Sequence, residues 1–353
     1  MYIVIAILVF GFLIVIHELG HFMAAKTFNV KVVEFSIGMG PKLLKKQGKE
    51  TLYSLRALPI GGSCLMEGED EETPDPRSFT AQARWKRFII LIAGSFMNFL
   101  AGAILILILV SQAAGYYGNT LTALDADFPH KGESGLMAGD KIVSINGERI
   151  YYQRDFITFM ELAEGEPIDL VVLRNGKKVT FNNFPLQKRE YITDGKAEFR
   201  YGVSFNIIEA SLGEKLKYTG YQTMNFVRIT RVSLAMLFSG SVGIKDLSGP
   251  VGIVSAINQV GQDPEATTAA KIYNVAYFCA YIAVTLAVMN LLPIPALDGG
   301  RIFFMIVTFF IEKIIRRRVD PKYEGYIHTA GFVLLLGLMA FVMVNDVVKL
   351  FNG

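Results

Sequence analysis

Charged residues are scarce in this sequence. Asp, Glu, Lys and Arg make up only 19% of the 353 residues, whereas 52% are hydrophobic. A composition this apolar is unusual for a soluble domain, and it predicts several membrane-spanning segments joined to a soluble part. The formal net charge of +3 is too small to indicate a nucleic-acid-binding surface.

Cysteine is also nearly absent. The chain has two, Cys64 and Cys279, and the second falls in an apolar segment far from the first, so no disulfide framework is indicated. The N-terminus has no basic region before its first apolar run, and we therefore expect no cleaved signal peptide. Cleavage there would also remove the motif described next.

Histidine is rare, yet two of the four histidines stand four residues apart in the first apolar segment. His17, Glu18 and His21 form a His-Glu-x-x-His motif. On a helix, positions i and i+4 share a face, so both imidazoles can bind one zinc ion with Glu18 beside them as a base. The alternative is a chance match in which the histidines only make helix-packing hydrogen bonds. Ionisable groups are costly at membrane depth, which favours a functional site.

Four segments are long enough to cross a bilayer, which takes about 20 apolar residues each; they are residues 1–25, 88–110, 273–311 and 327–348. The third is too long for one straight span and carries Pro293 and Pro295, so we expect it to break where it lines a cavity or packs on protein. Lys and Arg cluster in residues 26–87 and 312–326. This pattern predicts that both loops are cytoplasmic and that both termini lie outside.

A β-hairpin is predicted within residues 26–87, because β-rich stretches at 32–37 and 52–57 are separated by breakers and a turn. In one interpretation it dips into the membrane face beside the metal, where an open strand edge could pair with an extended substrate. In the other it is a plain cytoplasmic hairpin.

The external residues 115–207 predict a separate α+β domain. Residues 132–148 suggest a turn, a short helix, a strand and a tight Asn-Gly turn, and two strands at 168–174 and 177–181 are joined by a second Asn-Gly turn. A helix near 155–163 and a strand pair near 190–207 complete the pattern. It resembles a PDZ domain, a class that binds extended peptides or chain ends by strand addition.

Residues 208–272 are predicted to form an amphipathic helix and a connector. The helix either lies on the membrane surface or clamps the domain to the spans. Residues 248–252 suggest a hinge-like turn, followed by a small helix.

A third ligand is needed, because catalytic zinc sites usually have three protein ligands and one open position. Asp298 is the best candidate, since the first and third spans run in the same direction and Gly299 and Gly300 permit close backbone approach. The alternative is that Asp298 only caps the following half-helix. Zinc lowers the pKa of water, and Glu18 would take its proton as the water attacks a peptide carbonyl.

Asn98 adds a polar group to the second span. It can hold a substrate carbonyl or a developing oxyanion, or it can make only an interhelical hydrogen bond.

Together these features resemble the site-2 protease family of intramembrane zinc metalloproteases, and most closely its bacterial branch called regulator of sigma-E protease. The resemblance covers nearly the whole chain. It is carried by the motif of residues 17–21, the Gly-x-x-x-Asn of residues 94–98, the PDZ-like insert, the turn at 248–252 and residues 290–300.

The resemblance implies a multi-pass α-helical membrane protein with four transmembrane helices, the third broken, a membrane-associated β-hairpin and an inserted extracytoplasmic PDZ-like domain. It implies a zinc endopeptidase of the bacterial cytoplasmic membrane that cleaves transmembrane helices of single-pass proteins, such as trimmed anti-sigma factors or signal-peptide remnants. It also implies that Asn290 contacts substrate and that the PDZ-like part filters substrates by size. One PDZ-like domain is visible here, where the best-known member has two.

Two other functions share parts of this pattern. A non-proteolytic membrane PDZ adaptor would hold a structural metal in a closed four-ligand site, and the sequence offers no fourth ligand nearby. A metal transporter would carry more acids and histidines along several spans than these do.

Overall fold

The computed structural model of the chain describes residues 2–69, 73–193, 196–241, 267–317, 319 and 321–352, with Gly243, Gly249 and Gly252. The chain divides into two compact units. The first unit combines Met1–Leu109 with Gln222–Gly353, and the second consists of Val110–Tyr221.

Seven helices and ten strands occur in the described residues. The helices are α1 (Tyr2–Thr27), α2 (Arg84–Val110), α3 (Gln153–Leu162), α4 (Leu212–Ser239), α5 (Thr268–Asn290), α6 (Asp298–Ile315) and α7 (Pro321–Asn352). The strands are β1 (Val32–Gln47), β2 (Leu52–Met66), β3 (Gly115–Leu124), β4 (Lys141–Ile145), β5 (Glu148–Arg149), β6 (Ile168–Arg174), β7 (Lys177–Phe184), β8 (Arg189–Thr193), β9 (Lys196–Arg200) and β10 (Val203–Glu209).

Several helices of the first unit suit a membrane. By length and composition, four in the described part of the chain could cross one: Leu8–Thr27 of α1, Arg84–Val110, Thr268–Asn290 and Gly325–Asp346 of α7. The combination of apolar helices and β-sheets confirms a membrane protein with a β-containing part. The number of helices that cross, and the predicted domain boundaries, stay predictions.

Glycines bring the first three of these helices close together. A Cβ at Gly20 of α1 would lie 2.3 Å from the carbonyl oxygen of Ala93 in α2, and one at Gly102 of α2 would lie 2.7 Å from Val284 Cγ2 in α5. Neither position can hold a larger side chain without moving a helix. The sequence therefore sets the spacing of α1, α2 and α5 at these points.

The third apolar segment breaks between α5 and α6. The loop of residues 291–297 contains both prolines, and α6 begins at Asp298. A Cβ at Gly299 would lie 2.2 Å from the carbonyl oxygen of Leu291, so only glycine permits the loop to fold back on the start of α6. Helix α7 holds the loop from another side, because His328 Nδ1 accepts a 3.0 Å hydrogen bond from the backbone N–H of Ala296.

The hairpin forms as predicted, but its strands are longer and fold into more than a simple pair. Residues 34–37 pair with residues 52–55 on one side and with residues 62–65 on the other. Residues 62–66 therefore form one edge of the sheet, and within the described residues no strand pairs with their outer side.

Helix α4 packs against α5 in its second half. Gln222 Nε2 donates to Tyr277 Oη at 2.6 Å, the Phe226 ring packs on Tyr277, and the Thr230 and Thr285 hydroxyls lie 3.1 Å apart. Gln222 and Thr230 are buried. Residues 222–230 therefore pack against a candidate membrane-spanning helix, and whether α4 also lies on the membrane surface stays a prediction.

The second unit is a mainly antiparallel sheet with one helix, in the strand order β10-β3-β4-β6-β7, with β5 paired to β4 and a separate β8–β9 pair. The two predicted Asn-Gly turns are present, with positive φ at Asn146 and Asn175. No helix occurs in residues 132–148, so the short helix predicted there is wrong: turns and bends precede β4, and Gly132 and Gly139 take positive φ, which breaks a helix. The PDZ assignment stays a prediction.

Most of the predicted connector lies outside the described residues. These include Ser248, Pro250 and Val251 of the hinge-like turn and the small helix after it. The two described glycines of the turn, Gly249 and Gly252, donate backbone hydrogen bonds of 2.9 and 2.8 Å to one oxygen of Asp346 in α7.

Candidate metal centre

Three side chains converge at the start of α6. The Nε2 atoms of His17 and His21 lie 3.1 Å apart, and Oδ2 of Asp298 lies 3.1 Å from the first and 3.3 Å from the second. In the described part of the chain this is the group of His, Cys, Asp and Glu side chains that could hold a metal ion. All three are ligand types that zinc takes.

The size of this triangle fits zinc. A tetrahedral zinc ion with bonds of about 2.0–2.1 Å holds its ligand atoms about 3.3 Å apart, close to the three distances above. In addition, Oδ2 of Asp298 is buried and has no hydrogen-bond donor, and a carboxylate oxygen in that state is costly unless a cation binds it. The residues present therefore fit a bound zinc ion with an open fourth position.

Asp298 is not the cap of α6. The N-cap position is Leu297, and Asp298 is the first helical residue. There its carboxylate benefits from the helix dipole while its side chain turns to the histidines. The alternative role as a cap alone does not match this geometry.

Each histidine ring is oriented from its far side. Nδ1 of His21 lies 2.8 Å from the carbonyl oxygen of Ile90, an acceptor, so it carries the proton and leaves the Nε2 lone pair for a metal. Nδ2 of Asn290 lies 3.5 Å from Nδ1 of His17; turning this amide by 180° places its oxygen there as the acceptor that an Nδ1–H needs, and leaves the Nε2 lone pair for a metal. Asn290 therefore stands behind a candidate ligand, a position the sequence did not indicate.

Helix α2 must carry a glycine opposite the histidines. A Cβ at Gly94 would lie 2.4 Å from Nε2 of His21 and 2.8 Å from Cε1 of His17. The Gly-x-x-x-Asn motif thus begins with a residue that makes room for the site. Asn98, one turn further along α2, is buried and its Oδ1 has no hydrogen-bond donor.

A cavity of about 430 Å³ opens on the three candidate ligands. Glu18, Asn290 and the edge residues 62–66 also line it, whereas Asn98 does not. A Cβ at Gly62 would lie 3.1 Å from Cγ of Glu18, so the outer strand of the hairpin runs directly past the glutamate. Of the two hairpin interpretations, the one beside the metal site matches this packing; its depth in the membrane stays a prediction.

Two carboxylates with arginine partners flank the cavity. Glu34 Oε1 accepts from Ser54 Oγ at 2.6 Å and from Arg56 Nη2 at 2.9 Å, and its Oε2 accepts from Lys42 Nζ at 2.7 Å. Burial alone would raise the pKa of Glu34, but these hydrogen bonds lower it to about 2. Glu69 pairs with Arg301 at 3.1 Å. Sequence reasoning missed both pairs, because nothing local links their members.

Comparison with known proteins agrees with this geometry. The model of peptidase family M50 matches residues 5–338. A Clostridium acetobutylicum protein with a zinc metalloprotease name is 40% identical over 353 residues, which cover 99% of this chain and 98% of the relative.

Two more distant relatives carry more specific names. The zinc metalloprotease RasP of Geobacillus kaustophilus is 28% identical over 433 residues, covering 98% of this chain and 97% of the relative. The regulator of sigma-W protease RasP of Bacillus subtilis is 27% identical over 427 residues, covering 98% of each chain.

Proposed function

The chain belongs to peptidase family M50, the site-2 proteases, and from this premise we propose that it hydrolyses peptide bonds within transmembrane segments of single-pass membrane proteins. It is a zinc metalloprotease, and its apolar helices make it a membrane protein. The observation that carries the proposal is the triangle formed by His17 and His21, on a helix of membrane-spanning length, and Asp298 at the start of α6.

His17, His21 and Asp298 are the residues that would hold the zinc ion. When bound, zinc supplies a Lewis acid that polarises a carbonyl and lowers the pKa of water. The backbone carbonyl of Ile90 and the amide of Asn290 keep the two imidazoles in the orientation that this requires. We therefore assign Asn290 an orienting role toward His17, with the contact to substrate kept as a second role.

Glu18 acts as general base and acid. It follows His17 directly on α1 and lines the same cavity. In this role its carboxylate takes a proton from the attacking water and delivers it to the leaving amine. Asn98 has an unpaired side-chain oxygen but lies off the cavity, so its proposed contact with substrate requires the substrate to reach further between α1 and α2.

The outer edge of residues 62–66 receives the substrate. A peptide bond in a helix is shielded by its own hydrogen bonds and side chains, so a protease needs the segment extended. An edge strand supplies backbone donors and acceptors that hold an extended chain by strand addition. Because this edge passes Glu18, a peptide paired to it would lie beside the proposed base.

The substrate class follows from the relatives. One relative is named for regulation of sigma-W, which suggests anti-sigma factors as substrates; signal-peptide remnants are the other candidates. We place the enzyme in the bacterial cytoplasmic membrane with both termini and the PDZ-like second unit outside. The PDZ-like unit would select substrates by their external part.

The central test uses purified full-length protein in detergent micelles with a model single-pass substrate. Glu18→Gln should keep its zinc and lose cleavage by about 10²–10⁴-fold, the usual contribution of a general base. A zinc chelator should stop the wild-type enzyme, and added zinc should restore it. Proteolysis retained in Glu18→Gln would contradict the mechanism. A metal that resists chelation in a protein without activity would instead indicate the adaptor with a structural metal.

A further inference from the structure

Glu69 contacts two different parts of the metal cavity wall. Its Oε2 accepts a 3.2 Å hydrogen bond from the backbone N–H of Met66, the last residue of β2. Its Oε1 lies 3.1 Å from Nη1 of Arg301 in α6. Both side chains are largely buried, with 14% exposure for Glu69 and 22% for Arg301.

Arg301 lies on the helix that carries a candidate zinc ligand. It follows Asp298 by three residues, so the two side chains emerge from neighbouring positions on one helix face. Arg301, Glu69 and residues 62–66 all line the same cavity. The Glu69 carboxylate thus links the end of the edge strand to the helix that begins at Asp298.

We propose that Glu69 and Arg301 are positioning residues that fix the register of the substrate strand relative to the catalytic groups. The inference rests on the proposed function, because it concerns the substrate that the edge receives. It adds a determinant of which bond is cut.

Strand pairing alone leaves the register open. A peptide paired to an edge can slip by about two residues and still present the same faces, since side chains alternate with a period of two. Hydrolysis needs one carbonyl within reach of Glu18, and a misplacement of about 1 Å can cost 10²-fold in rate. An ion pair that holds the strand end against α6 limits movement of the edge itself relative to Glu18 and Asp298, and so limits which carbonyl of a paired peptide comes within reach.

Cleavage positions provide the test. The wild type and the variants Glu69→Ala, Arg301→Ala and their double mutant are incubated with a model single-pass substrate, and the products are identified by mass spectrometry. We expect a single main cut in the wild type. Each variant should retain zinc, lose about tenfold in kcat/KM and cut at additional bonds about two residues away. The double mutant should resemble the single ones, and Arg301→Lys should restore the wild-type pattern.

The matched control is Glu312→Ala. Glu312 also lies on α6, pairs with Arg84 and accepts a backbone hydrogen bond from Val319, but it does not line the cavity. Its loss removes the same kinds of contact without touching the edge strand, so its cleavage pattern should stay that of the wild type.

The outcomes separate cleanly. A single cut at the wild-type bond in Glu69→Ala and Arg301→Ala overturns the proposal. If Glu69→Ala loses zinc or unfolds, Glu69→Gln is the deciding variant, because its amide oxygen can still accept from the Met66 N–H while the ion pair is gone. Additional cuts in Glu69→Gln support the proposal, and an unchanged pattern overturns it. A wild-type protein that cuts no substrate contradicts the proposed function instead.

Discussion

Two aspartates, one in each unit, show how a structural buried carboxylate differs from a candidate metal ligand. Asp140 of the second unit is almost fully buried, and Arg174 donates to both of its oxygens at 2.8 and 2.7 Å. The backbone N–H of Met137 adds a third hydrogen bond. Asp298 of the first unit, in contrast, keeps an oxygen that has no donor and faces two ring nitrogens.

The difference lies in the partners and not in burial. A buried carboxylate with a bidentate arginine has its charge compensated and a donor on each oxygen, so it does not need a cation. A buried carboxylate that faces only other lone pairs is costly while the site is empty. A bound cation removes that cost. Folding alone explains Asp140, whereas the surroundings of Asp298 fit the proposed metal ligand.

The largest effect is expected when the carboxylate of Asp298 is removed. Asp298→Ala should lose zinc and lower cleavage by more than about 10³-fold, because the Lewis acid goes with the metal. Thermal stability of the metal-free protein should change little, since no hydrogen bond to Oδ2 is lost. Metal analysis and melting curves in detergent measure both. Zinc content equal to that of the wild type would contradict the assignment of Asp298.

Asp140→Ala should show the opposite pattern. It leaves Arg174 in a largely buried site without its carboxylate, which costs about 3–5 kcal/mol. Amide hydrogen exchange across Gly115–Leu124 and Ile168–Arg174 should therefore become faster, while zinc content stays unchanged.

The control is a double variant, Asp140→Ala with Arg174→Met, which removes both charges. It should recover much of the lost protection, because no unpaired charge remains. Unchanged exchange in Asp140→Ala would show that satisfied pairs in this unit contribute nothing to its stability.

From the sequence, the candidate metal ligands could be predicted far better than the buried ion pairs. His17, His21 and Asp298 could be found because ionisable groups inside apolar segments are expensive and their spacing on a helix is fixed. The Glu69–Arg301 and Asp140–Arg174 pairs could not, because arginines and acids are common and sequence does not say which ones meet.

Packing explains the remaining misses. The amphipathic pattern of α4 did not indicate that Gln222 and Phe226 contact Tyr277 of α5, because such contacts depend on the tertiary fold. The short helix predicted within residues 132–148 does not form, because Gly132 and Gly139 take positive φ in the stretch before β4. The groups that orient the ligands, the Ile90 carbonyl and the Asn290 amide, come from distant helices and leave no local signal.

A smaller effect is expected when the side-chain amide of Asn290 is removed, with Asn119 as the comparison. Asn290→Ala should weaken zinc binding or activity by about 10–100-fold, as expected for a group that orients a metal ligand. Asn119 of the second unit is the matched control, because its amide donates to the carbonyls of Ile142 and Ile150 at 2.9 and 2.8 Å. Asn119→Ala should destabilise the sheet by about 1–3 kcal/mol and leave zinc affinity unchanged. Equal zinc affinity in both variants would remove the orienting role of Asn290.

The smallest effect is expected at Glu34, which lines the metal cavity but, like Asp140, is paired with basic side chains. It tests whether hydrogen-bond partners or position in the cavity determine which carboxylates bind the metal. If the partners determine this, Glu34→Gln should keep zinc and lose only hairpin stability.

The stabilisation by Glu34 depends on pH. Its pKa in the folded protein, about 2, lies below the usual 4.5, so the stabilisation is complete above about pH 5 and disappears as the pH falls toward 2. Its partners are about a third exposed, which limits it to about 1–2 kcal/mol. Melting curves of chelator-treated wild type and Glu34→Gln should therefore differ at pH 7 and converge as the pH falls toward 2, since a protonated Glu34 resembles glutamine. Loss of zinc from Glu34→Gln at pH 7 would mean that position in the cavity, and not the hydrogen-bond partners, determines which carboxylates serve the metal.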